Sequence, residues 1–573
     1  MKRRELLKYI GIAPVIHPLT QLTGHAGSTS FIGFPEDKEE NILDKLISYN
    51  DKLIPLMLEK QEKRKGNNHF GGVPDSYEIY TVHNTVRFIN TIVCGYSSKN
   101  SKYYHSRELI VPLENAIGFI LSRQYADGTI DLHSTNFHST PDTAFMVEPL
   151  TAVYSVINAF ELKSGTFKED LKKFLLNAGK ALTVGGIHTA NHRWVVSMAL
   201  ARLNSLFPDP GYVNRIDEWL AEKIDIDPDG QYAERSTMTY TPLVNRCFIT
   251  MAHHLRRPEL YEPVRKNLGM SLYYMHPNGE VVTESSRRQD QYQRGNMSGY
   301  YYPYRYMALH DSNSDFAAMA LYMENSYPDE LVSWLLYFLE DSTLLSSLPK
   351  PSALPSDYVK EFPYSDLVRI RHENKDATII ARNPAFFSFY NGNAVLQEVR
   401  LAAAFFGKGQ FDSEKIEKEG DTYILRKSLQ GVYYQPYPQE LLPEDGDWNK
   451  MVRTNRRESE IQECKYEVRI REKDKGFELS FSISGTENVP VALELAFRKG
   501  GTLSGVRTVD HTPDTYLLEK GIGKYQYDNQ NITFGTGKAE HSWTVLRGAL
   551  PKSDAMSVYL TGFTPFEKTI VIT

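Results

Sequence analysis

Several features that mark common classes of protein are scarce or missing in this 573-residue sequence. Its three cysteines, Cys94, Cys247 and Cys464, lie far apart and form no Cys-x-x-Cys pair, so neither a disulfide framework nor a cysteine-based zinc site is expected. Beyond the N-terminus, no segment reaches the roughly 20 apolar residues of a membrane span. The net charge of −6 lacks the basic excess of nucleic-acid-binding proteins. We therefore expect a globular protein with no membrane span and no nucleic-acid partner.

The histidines of the C-terminal part, His372, His511 and His541, show no metal-ligand spacing. We expect no required cofactor, and a structural metal ion stays open. Tyrosine, in contrast, is abundant, with 36 residues against 27 Phe and 5 Trp. A tyrosine ring has an apolar face and a polar tip that suit contact with sugars, although tyrosines in the core and in strands explain the same excess.

The N-terminus has the pattern of a targeting segment. Arg3 and Arg4 precede a mildly apolar stretch at 9–22, and small residues follow up to Ala26. This order resembles a twin-arginine export signal. We expect residues 1–26 to be removed and the mature protein to be exported, most simply to the periplasm. A disordered or helical tail is the alternative.

Helical periodicity dominates residues 38–345. Apolar residues recur at helical spacing in segments separated by short polar turns: 41–63, 82–93, 109–121, 147–162, 171–182, 192–206, 216–224, 243–255 and 331–339. Asp127-Gly128, Asp229-Gly230 and Asn278-Gly279 each follow a helix, at intervals of about one or two units of fifty residues. Helical hairpins of that length can close into a ring. The pattern therefore predicts an (α/α)6-type toroid, complete or partial.

The pattern changes at a proline-rich stretch, 348–356, after which strand-like alternation dominates. The segments with this alternation are 366–371, 377–382, 386–390, 422–427, 466–471, 478–484, 491–498, 543–547, 555–560 and 569–573. Helices first and strands second predict an α domain followed by an antiparallel β-sandwich, and not an α/β sheet. We expect the toroid at 27–347, a linker at 348–362 and the sandwich at 363–573.

Two short runs in the helical part are candidates for chemistry. Asn191, His192 and Arg193 precede an apolar helix, and Asn191 also suits the position of a helix N-cap. In the run 229–240, an Asp-Gly turn leads through an extended piece to Tyr240. We expect Tyr240 at the mouth of the following helix, where it either serves the site or packs against the helix.

The second run, D-G-x-x-x-E-R-S-x-M-x-Y, resembles the signature of heparinase II/III-like polysaccharide lyases. In that family an Asp-Gly turn leads through Glu-Arg-Ser to a catalytic tyrosine, and an Asn-His pair lies some fifty residues upstream, as Asn191-His192 does here. The sequence departs from the family pattern because Thr241 replaces the histidine after Tyr240, and one extra residue precedes the tyrosine. The family fold is an (α/α) toroid followed by an antiparallel β-sandwich, the same order that the periodicity predicts.

The resemblance implies cleavage of a uronic-acid-containing glycan by β-elimination. Such a reaction removes the C5 proton, protonates the leaving O4 and neutralises the carboxylate. The resemblance implies that Asn191 binds the carboxylate, that His192 or Tyr240 takes the proton, and that Tyr240 protonates O4. A tyrosine base needs a pKa lowered by cations, for which Arg193 and Arg235 are the candidates.

Further substrate-binding candidates lie on the loops that follow the Asp-Gly and Asn-Gly turns and in the sandwich. They combine charged side chains able to bind carboxylate or sulfate with polar and aromatic side chains that suit sugars. These candidates are Asn136, His138, Glu234, Arg235, Glu284, Arg287, Arg288 and Tyr434. Solvated salt-bridged loops, helix capping and sandwich packing are the structural alternatives for the same residues. The expected partner is an acidic polysaccharide or oligosaccharide.

Two other functions fit the same fold, because a toroid with a sandwich serves more than one chemistry. A glycoside hydrolase, for example a glucuronidase, needs two facing carboxylates. The acidic residues available for such a pair are Asp142, Glu148, Glu234 and Glu284. A glycan-binding protein without catalysis would keep the aromatic and arginine residues but would not need the set of Asn191, His192 and Tyr240. Convergence of those three side chains favours the lyase.

Overall fold

The computed structural model describes residues 41–162, 165–474 and 476–573. Two compact units divide them: residues 41–272 with Ser286–Leu354, and Tyr273–Ser285 with Pro355–Thr573. The second unit thus takes in Tyr273–Ser285, which the sequence assigns to the toroid. The predicted export signal, 1–26, lies outside the described residues, so export stays a prediction.

The first unit is built from α-helices. Its helices are α1 (Ile42–Lys60), α2 (Val82–Ser97), α3 (Ile110–Arg123), α4 (Thr140–Ala159), α5 (Phe167–Val184), α6 (Ala190–Leu206), α7 (Pro210–Ala221), α8 (Tyr240–Leu255), α9 (Tyr261–Ser271), α10 (Tyr301–Asp311), α11 (Ser314–Ser326) and α12 (Leu335–Glu340). Two short hairpins precede α2 and α4: β1 (Val73–Pro74) with β2 (Tyr80–Thr81), and β3 (Ile130–Leu132) with β4 (Asn136–Ser139).

The even-numbered helices form an inner ring. α2 packs against α4, α4 against α6, α6 against α8 and α8 against α10, while α12 packs against both α2 and α4. Every residue of α6 from Asn191 to Leu203 is buried, as expected of a helix surrounded by others. The odd-numbered helices pack on the outside of this ring, for example α1 on α2 and α5 on α4. Within the described residues the helices thus form six pairs that make an (α/α)6 toroid, so the predicted fold of this part is confirmed.

The repeated turn is also confirmed. Tyr125, Asp227 and His276 each donate their backbone N–H to the carbonyl four residues later, and the glycine three residues later donates back to them. These glycines, Gly128, Gly230 and Gly279, all have positive φ, which only glycine adopts without strain. The turns therefore share one geometry.

A further copy of this contact occurs at Gly71. A Cβ atom added at Gly71, Gly128 or Gly230 would come within 2.0, 2.2 or 2.6 Å of a backbone oxygen in α3, α5 or α9. In each case the turn before an inner helix rests on the outer helix that follows it. This contact sets the height at which the inner helix begins.

The second unit contains two sheets. Their strands, in spatial order, are β16 (Arg507–Thr508), β17 (Thr515–Leu517), β20 (Met556–Phe563), β14 (Pro490–Phe497), β9 (Ala394–Ala403), β8 (Phe387–Asn391), β7 (Lys375–Ile380), β6 (Leu367–His372) and β5 (Asp357–Phe362) in one sheet, and β10 (Ile416–Glu419), β11 (Thr422–Tyr434), β12 (Glu458–Lys473), β13 (Gly476–Gly485), β21 (Phe566–Ile572), β19 (Gln530–Gly535), β18 (Ile522–Tyr527) and β15 (Thr502–Ser504) in the other. Apart from the parallel pair β17–β20, the described ladders are antiparallel.

The two sheets share one apolar core. Alternate residues of β12, such as Val468 and Ile470, lie in the same buried cluster as Leu493 and Leu495 of β14. Side chains from the facing sides of two antiparallel sheets thus fill the space between them, as in a β-sandwich. The predicted order of a toroid followed by an antiparallel sandwich is confirmed.

Some expected elements differ from the structure. The predicted strand at 543–547 contains no strand, and Trp543 and Val545 are 47% and 59% exposed. β5 begins at Asp357, inside the predicted linker. It was not predicted because an edge strand with mostly exposed residues lacks the apolar alternation of a core strand. α10 was not predicted, because tyrosines such as Tyr301 and Tyr304 fill its buried positions and obscure the apolar periodicity of a helix. Core packing therefore accounts for part of the tyrosine excess.

Among the described residues, the three cysteines are buried and free. Burial raises the pKa of the Cys94 and Cys247 thiols well above its ordinary value. Over the same residues, no three His, Cys, Asp or Glu side chains gather in an arrangement that could hold a metal ion. None of the described helices combines the length and apolar character needed to cross a bilayer.

Candidate active site

Polar side chains begin four inner helices of the toroid. The first turns of α2, α4, α6 and α8 present His83, Asp142, the pair Asn191 and His192, and Tyr240. Contacts between these turns and with the loops beside them bring the side chains to one end of the ring. We call this group the rim cluster, and define it as His83, Asp142, Asn191, His192, Glu234, Tyr240, Arg288 and Gln289.

Asp142 and His83 form one side of the rim cluster. His83 Nε2 lies 3.7 Å from Asp142 Oδ1, while Asp142 Oδ2 accepts hydrogen bonds from Asn136 Nδ2 at 2.9 Å and Ser139 Oγ at 2.5 Å. Burial alone would raise the pKa of Asp142, but His83 and the hydrogen bonds from Ser139 and Asn136 outweigh it and hold the pKa below its ordinary value. Asp142 is therefore a carboxylate at neutral pH. Ser139 caps α4, because its Oγ accepts a hydrogen bond from the Asp142 amide, and the helix starts at Thr140.

Asn191 is not the N-cap of its helix, the alternative that its sequence position offered. The N-cap of α6 is Thr189, whose hydroxyl donates to Asn191 Oδ1 at 2.7 Å. The backbone N–H of Asn191 donates to Glu234 Oε2 at 3.4 Å. The side chain is 1% exposed, and its Nδ2 has no hydrogen-bond acceptor within the described part of the chain. A buried, unpaired amide donor is costly, so its presence in this cluster points to a ligand acceptor.

His192 lies beside Asn191 in an apolar and aromatic setting. Its ring meets those of Phe145 and His188 edge-on, and its Nδ1 is buried with no partner among the described residues. Burial lowers the pKa of His192 to about 4, and the nearby His188 and Arg288 side chains add to this effect, while Asp142 opposes it. The imidazole is therefore neutral at pH 7 and keeps a lone pair for a proton.

Tyr240 is the first residue of α8, as predicted. Its phenol oxygen accepts a hydrogen bond from Gln289 Nε2 at 2.7 Å, and the Arg288 guanidinium lies 5.8 Å from its ring centre. Burial raises the pKa of Tyr240, and the Gln289 hydrogen bond and the Arg288 charge do not offset it. The lowered pKa that a tyrosine base would need is therefore not found, because burial outweighs the nearby cation. Tyr240 is protonated at neutral pH.

Glu234 and Arg288 connect the two halves of the rim cluster. Arg288 Nε lies 2.9 Å from Glu234 Oε1, and Glu234 Oε2 accepts from the Asn191 amide. The Glu234 side chain is 6% exposed and that of Arg288 is 37% exposed. Arg288 thus spans from the carboxylate beside Asn191 to the ring of Tyr240 and leaves part of its guanidinium open to solvent.

Asp290 fixes the loop that precedes Tyr240. Its carboxylate accepts from Ser286 Oγ at 2.5 Å, from Ser236 Oγ at 3.0 Å and from the Met238 amide at 3.0 Å. Ser236 Oγ in turn accepts from the Tyr240 amide at 3.1 Å. This chain of hydrogen bonds positions the start of α8, and with it the phenol, relative to Arg288 and Gln289.

Arg193 follows His192 in sequence but lies outside the rim cluster. Its guanidinium pairs with Asp225 at 2.9 Å and Glu222 at 3.2 Å, and it lies 4.6 Å from the ring centre of Trp194. These contacts connect α6 to the end of α7. Residues two positions apart point to opposite sides of a helix, which separates Arg193 from Asn191.

Arg235 and Arg287 meet through their backbones. The Arg235 carbonyl, at a residue with φ of 46°, accepts from the Arg287 amide at 2.7 Å, and Ser286 Oγ lies 2.9 Å from it. The cation beside Tyr240 is therefore Arg288, and the expected role of Arg235 in that position is not supported. Arg287 is exposed, and its role in substrate binding stays a prediction.

Asn136 and His138 are on the hairpin before α4. Asn136 joins the rim cluster through its hydrogen bond to Asp142. His138 is exposed, stacks on Tyr125 with 3.8 Å between ring centres, and its Nδ1 lies 2.7 Å from Asp127 Oδ2. The predicted role of His138 as a contact for sugar stays a prediction.

Two of the predicted substrate-binding residues belong to the second unit. Glu284 is 5% exposed and accepts from Thr378 Oγ1 at 2.7 Å and Ser388 Oγ at 2.9 Å, with His276 Nε2 at 3.3 Å. Tyr434 ends β11 and is 41% exposed. The contacts of Glu284 indicate a structural role, and the role of Tyr434 in substrate binding stays a prediction.

Sequence reasoning missed two members of the rim cluster. His83 carries no motif, but it is the second residue after the N-cap Thr81, as Asn191 is the second residue after the N-cap Thr189. That repeat position was the available signal. Gln289 lies 49 residues from its partner Tyr240, and no local pattern marks such a contact.

Comparisons with known proteins find solved structures that share this fold. No family model and no curated protein matches the sequence. Among solved structures, a xanthan lyase from Paenibacillus matches with a TM-score of 0.53 and 10% identity over 93% of this chain and 57% of its own. A chondroitin AC lyase from Streptomyces coelicolor A3 matches with a TM-score of 0.51 and 11% identity over 94% of this chain and 80% of its own. A heparan sulfate lyase from Pedobacter heparinus matches with 10% identity over 94% of this chain and 84% of its own, but its TM-score of 0.44 is too low to carry an argument.

These structures are polysaccharide lyases, and the resemblance expected from the motifs is confirmed at the level of the fold. Identities of 10–11% show the fold alone. The chain also spans only 57% of the length of the xanthan lyase. The reaction and the substrate therefore have to be argued from the rim cluster itself.

Proposed function

We propose that the toroid unit is a polysaccharide lyase that cleaves next to a uronic acid by β-elimination. The observation that carries the proposal is the buried, unpaired Nδ2 of Asn191 next in sequence to a neutral imidazole, with Glu234 and Arg288 connecting it to a protonated phenol. A uronate supplies what this donor lacks, because its carboxylate accepts hydrogen bonds. Binding there would also withdraw charge from the carboxylate and make the C5 proton more acidic.

The protonation states of His192 and Tyr240 decide which side chain takes a proton and which gives one. Neutral His192 takes the C5 proton, and protonated Tyr240 gives its proton to O4 as the C4–O4 bond breaks and the C4–C5 double bond forms. The Gln289 hydrogen bond to the phenol oxygen leaves the phenol proton free for the leaving group and stabilises the phenolate that remains. A bound uronate would raise the pKa of His192 from about 4 towards neutrality, which makes it a stronger base. The base, the acid and the donor that stabilises the phenolate are thus His192, Tyr240 and Gln289.

The hydrolase is less well supported. A glycosidase needs one protonated and one ionised carboxyl group facing the bond. The pKa of Asp142 and that of Glu284 both lie below their ordinary values, which argues against either as the acid. Glu148 is buried, accepts a hydrogen bond from the Tyr337 hydroxyl and lies 3.3 Å from Arg246 Nε. The phenol of Tyr240, in contrast, is held within the rim cluster, as the lyase requires.

Ultraviolet absorbance tests this proposal, because elimination leaves a conjugated double bond and hydrolysis does not. Oligosaccharides of xanthan, chondroitin sulfate and heparan sulfate are incubated with the wild-type protein and with Tyr240→Phe. We expect absorbance to rise with the wild type and the rate to fall at least about a hundredfold with Tyr240→Phe. Tyr49→Phe on α1 removes the same hydroxyl outside the rim cluster and should keep the wild-type rate. New reducing ends without absorbance would sink the lyase.

The same assay tests the carboxylate-binding role of Asn191. Asn191→Asp keeps the acceptor for Thr189 but replaces the unpaired donor by a negative charge that repels a uronate. We expect the rate to fall about a hundredfold or more. Asn204→Asp adds the same charge at the other end of α6 and keeps its acceptor role towards the Asp209 amide, so its rate should stay unchanged. Equal rates for the two variants would remove Asn191 from the mechanism.

A further inference from the structure

One face of α2 carries polar side-chain atoms that make no hydrogen bond within the described residues. His83, Arg87 and Asn90 are spaced i, i+4 and i+7, which places them on one side of the helix. Within the described residues, His83 Nδ1 and Asn90 Oδ1 are buried and make no hydrogen bond. The Arg87 guanidinium, partly buried, has no carboxylate, hydrogen-bond or aromatic partner in the same part of the chain. The helix therefore presents a donor cation, an imidazole nitrogen and an amide acceptor in a row.

Other arginines on the inner helices are paired. Arg202 lies 2.5 Å from Glu340, Arg246 lies 3.3 Å from Glu148, and Arg305 lies 2.6 Å from Glu324. Arg87 lacks such a counter-charge, and burial accordingly lowers its pKa. A guanidinium still remains charged at neutral pH. An unpaired, partly desolvated charge costs stability, so its retention is explained if a ligand supplies the anion.

The position of Arg87 connects it to the rim cluster. His83 lies 3.7 Å from Asp142, and Arg87 follows His83 by one helical turn, about 6 Å along the axis. Arg87 therefore lies one helical turn from His83, a member of the rim cluster, on the face where a unit next to the reacting sugar would meet it. The groups on the face also fit a sugar better than a bare anion, because Asn90 Oδ1 accepts a hydrogen bond from a hydroxyl while Arg87 binds an oxyanion in a bidentate way.

We propose that Arg87, flanked by His83 and Asn90, forms a subsite that binds the carboxylate or sulfate of a sugar adjacent to the one that reacts. The subsite rests on the proposed function in one respect, namely that the ligand is an acidic glycan. It adds a requirement for a second anionic group along the chain. An acidic oligosaccharide then binds more tightly than a single uronate, and the difference depends on Arg87.

Calorimetric titration of the full-length protein tests the subsite, with Tyr240→Phe present in every sample to prevent turnover. The probes are hexasaccharides of chondroitin sulfate, heparan sulfate and xanthan, together with desulfated and carboxyl-reduced chondroitin hexasaccharides. We expect Arg87→Gln to weaken binding of the preferred acidic hexasaccharide about tenfold to a hundredfold. Desulfation and carboxyl reduction show which anion Arg87 binds, since the modification that removes its ligand also removes the effect of Arg87→Gln.

A matched control separates binding from folding. Arg107→Gln removes the same charge from an exposed arginine of the toroid unit and should leave the affinity unchanged. Because Arg87 has no partner to lose, Arg87→Gln should unfold at the same or a higher temperature than its parent. Unchanged affinity with Arg87→Gln, or weaker binding together with a lower unfolding temperature, would overturn the subsite.

The outcome is separable from that of the proposed function. If Arg87→Gln weakens binding but the wild-type protein produces no absorbance change, the subsite stands and the lyase falls. If the wild type eliminates, but Arg87→Gln keeps both its affinity and its KM, the lyase stands and the subsite falls. Absence of binding to every acidic hexasaccharide would contradict both.

Discussion

His192 is neutral in the folded protein because its imidazole is buried among Phe145, His188 and the start of its own helix. Its pKa falls from 6.5 to about 4. Between these two values the unfolded chain binds a proton that the folded chain does not, so stability falls as the pH drops from 6.5 to 4 and levels off below. The full difference is about 3 kcal/mol.

This sign leads to a prediction for His192→Gln, which removes the titrating group. Between pH 7 and pH 4 the free energy of unfolding of the toroid should fall by about 3 kcal/mol less in the variant than in the wild type. Urea unfolding measures this free energy. The measurement compares the free energy of unfolding at several pH values across this window. Parallel pH profiles for the two proteins would show that His192 is not held neutral by burial.

Residue identities in the site were partly predictable. Asn191, His192 and Tyr240 were found because their motif is local, and the first turns of inner helices bring them into one cluster. The partners of Tyr240 were harder to find, since Arg288 and Gln289 come from a loop distant in sequence. The raised pKa of Tyr240 was not predictable, because burial cannot be read from neighbouring arginines in a sequence.

The turns before the inner helices set the geometry of the toroid at the level of elements. The Asp-Gly and Asn-Gly pairs were recognisable because their turn chemistry is local. Gly71, the equivalent residue before α2, was missed because Phe70 precedes it and no Asp or Asn marks the turn. The edge strand β5 and the tyrosine-rich α10 escaped for a related reason, since neither shows the apolar periodicity of its class.

A glycine exchange tests the role of these turns. Gly128 has a φ of 88°, and an added Cβ atom would lie 2.2 Å from the Asn177 oxygen in α5. We expect Gly128→Ala to destabilise the toroid by about 2–4 kcal/mol, through backbone strain and displacement of α5. The measurement is urea unfolding of the variant beside the wild type.

Gly118 provides the matched control. It lies inside α3, and no atom stands within 4 Å of an added Cβ. Gly118→Ala should stabilise the toroid by about 0.5–1 kcal/mol, because alanine favours a helix over glycine. Equal effects of the two exchanges would show that the turn contact does not support the ring.

On the scale of the whole molecule, the order of periodicities was enough to predict the fold class. Helical spacing up to residue 345 and strand alternation afterwards correspond to the toroid and the sandwich. The assignment of Tyr273–Ser285 to the sandwich unit was not predictable, because its anchors are distant in sequence. His276 Nδ1 lies 2.8 Å from Asp376 Oδ1, and Glu280 pairs with Arg498 at 2.7 Å.

The buried part of this anchor is an ionic network. Burial alone would lower the pKa of His276, but the carboxylates of Glu284 and Asp376 outweigh it and raise the pKa above its ordinary value. Asp376 also pairs with Arg369, and neither side chain is exposed. Such a network is specified by the tertiary structure, so a scan of the sequence identifies Glu284 as a candidate site residue and cannot reveal its structural partners.

The mass of the products tests the central claim most directly. An acidic oligosaccharide of defined length is cleaved by the wild-type protein, and both fragments are weighed by mass spectrometry. Elimination adds no water, so we predict that the two fragment masses sum to that of the substrate, with the missing water on the new non-reducing end. Fragment masses that exceed the substrate by one water would show hydrolysis and would contradict the assignment of Asn191, His192 and Tyr240 to β-elimination.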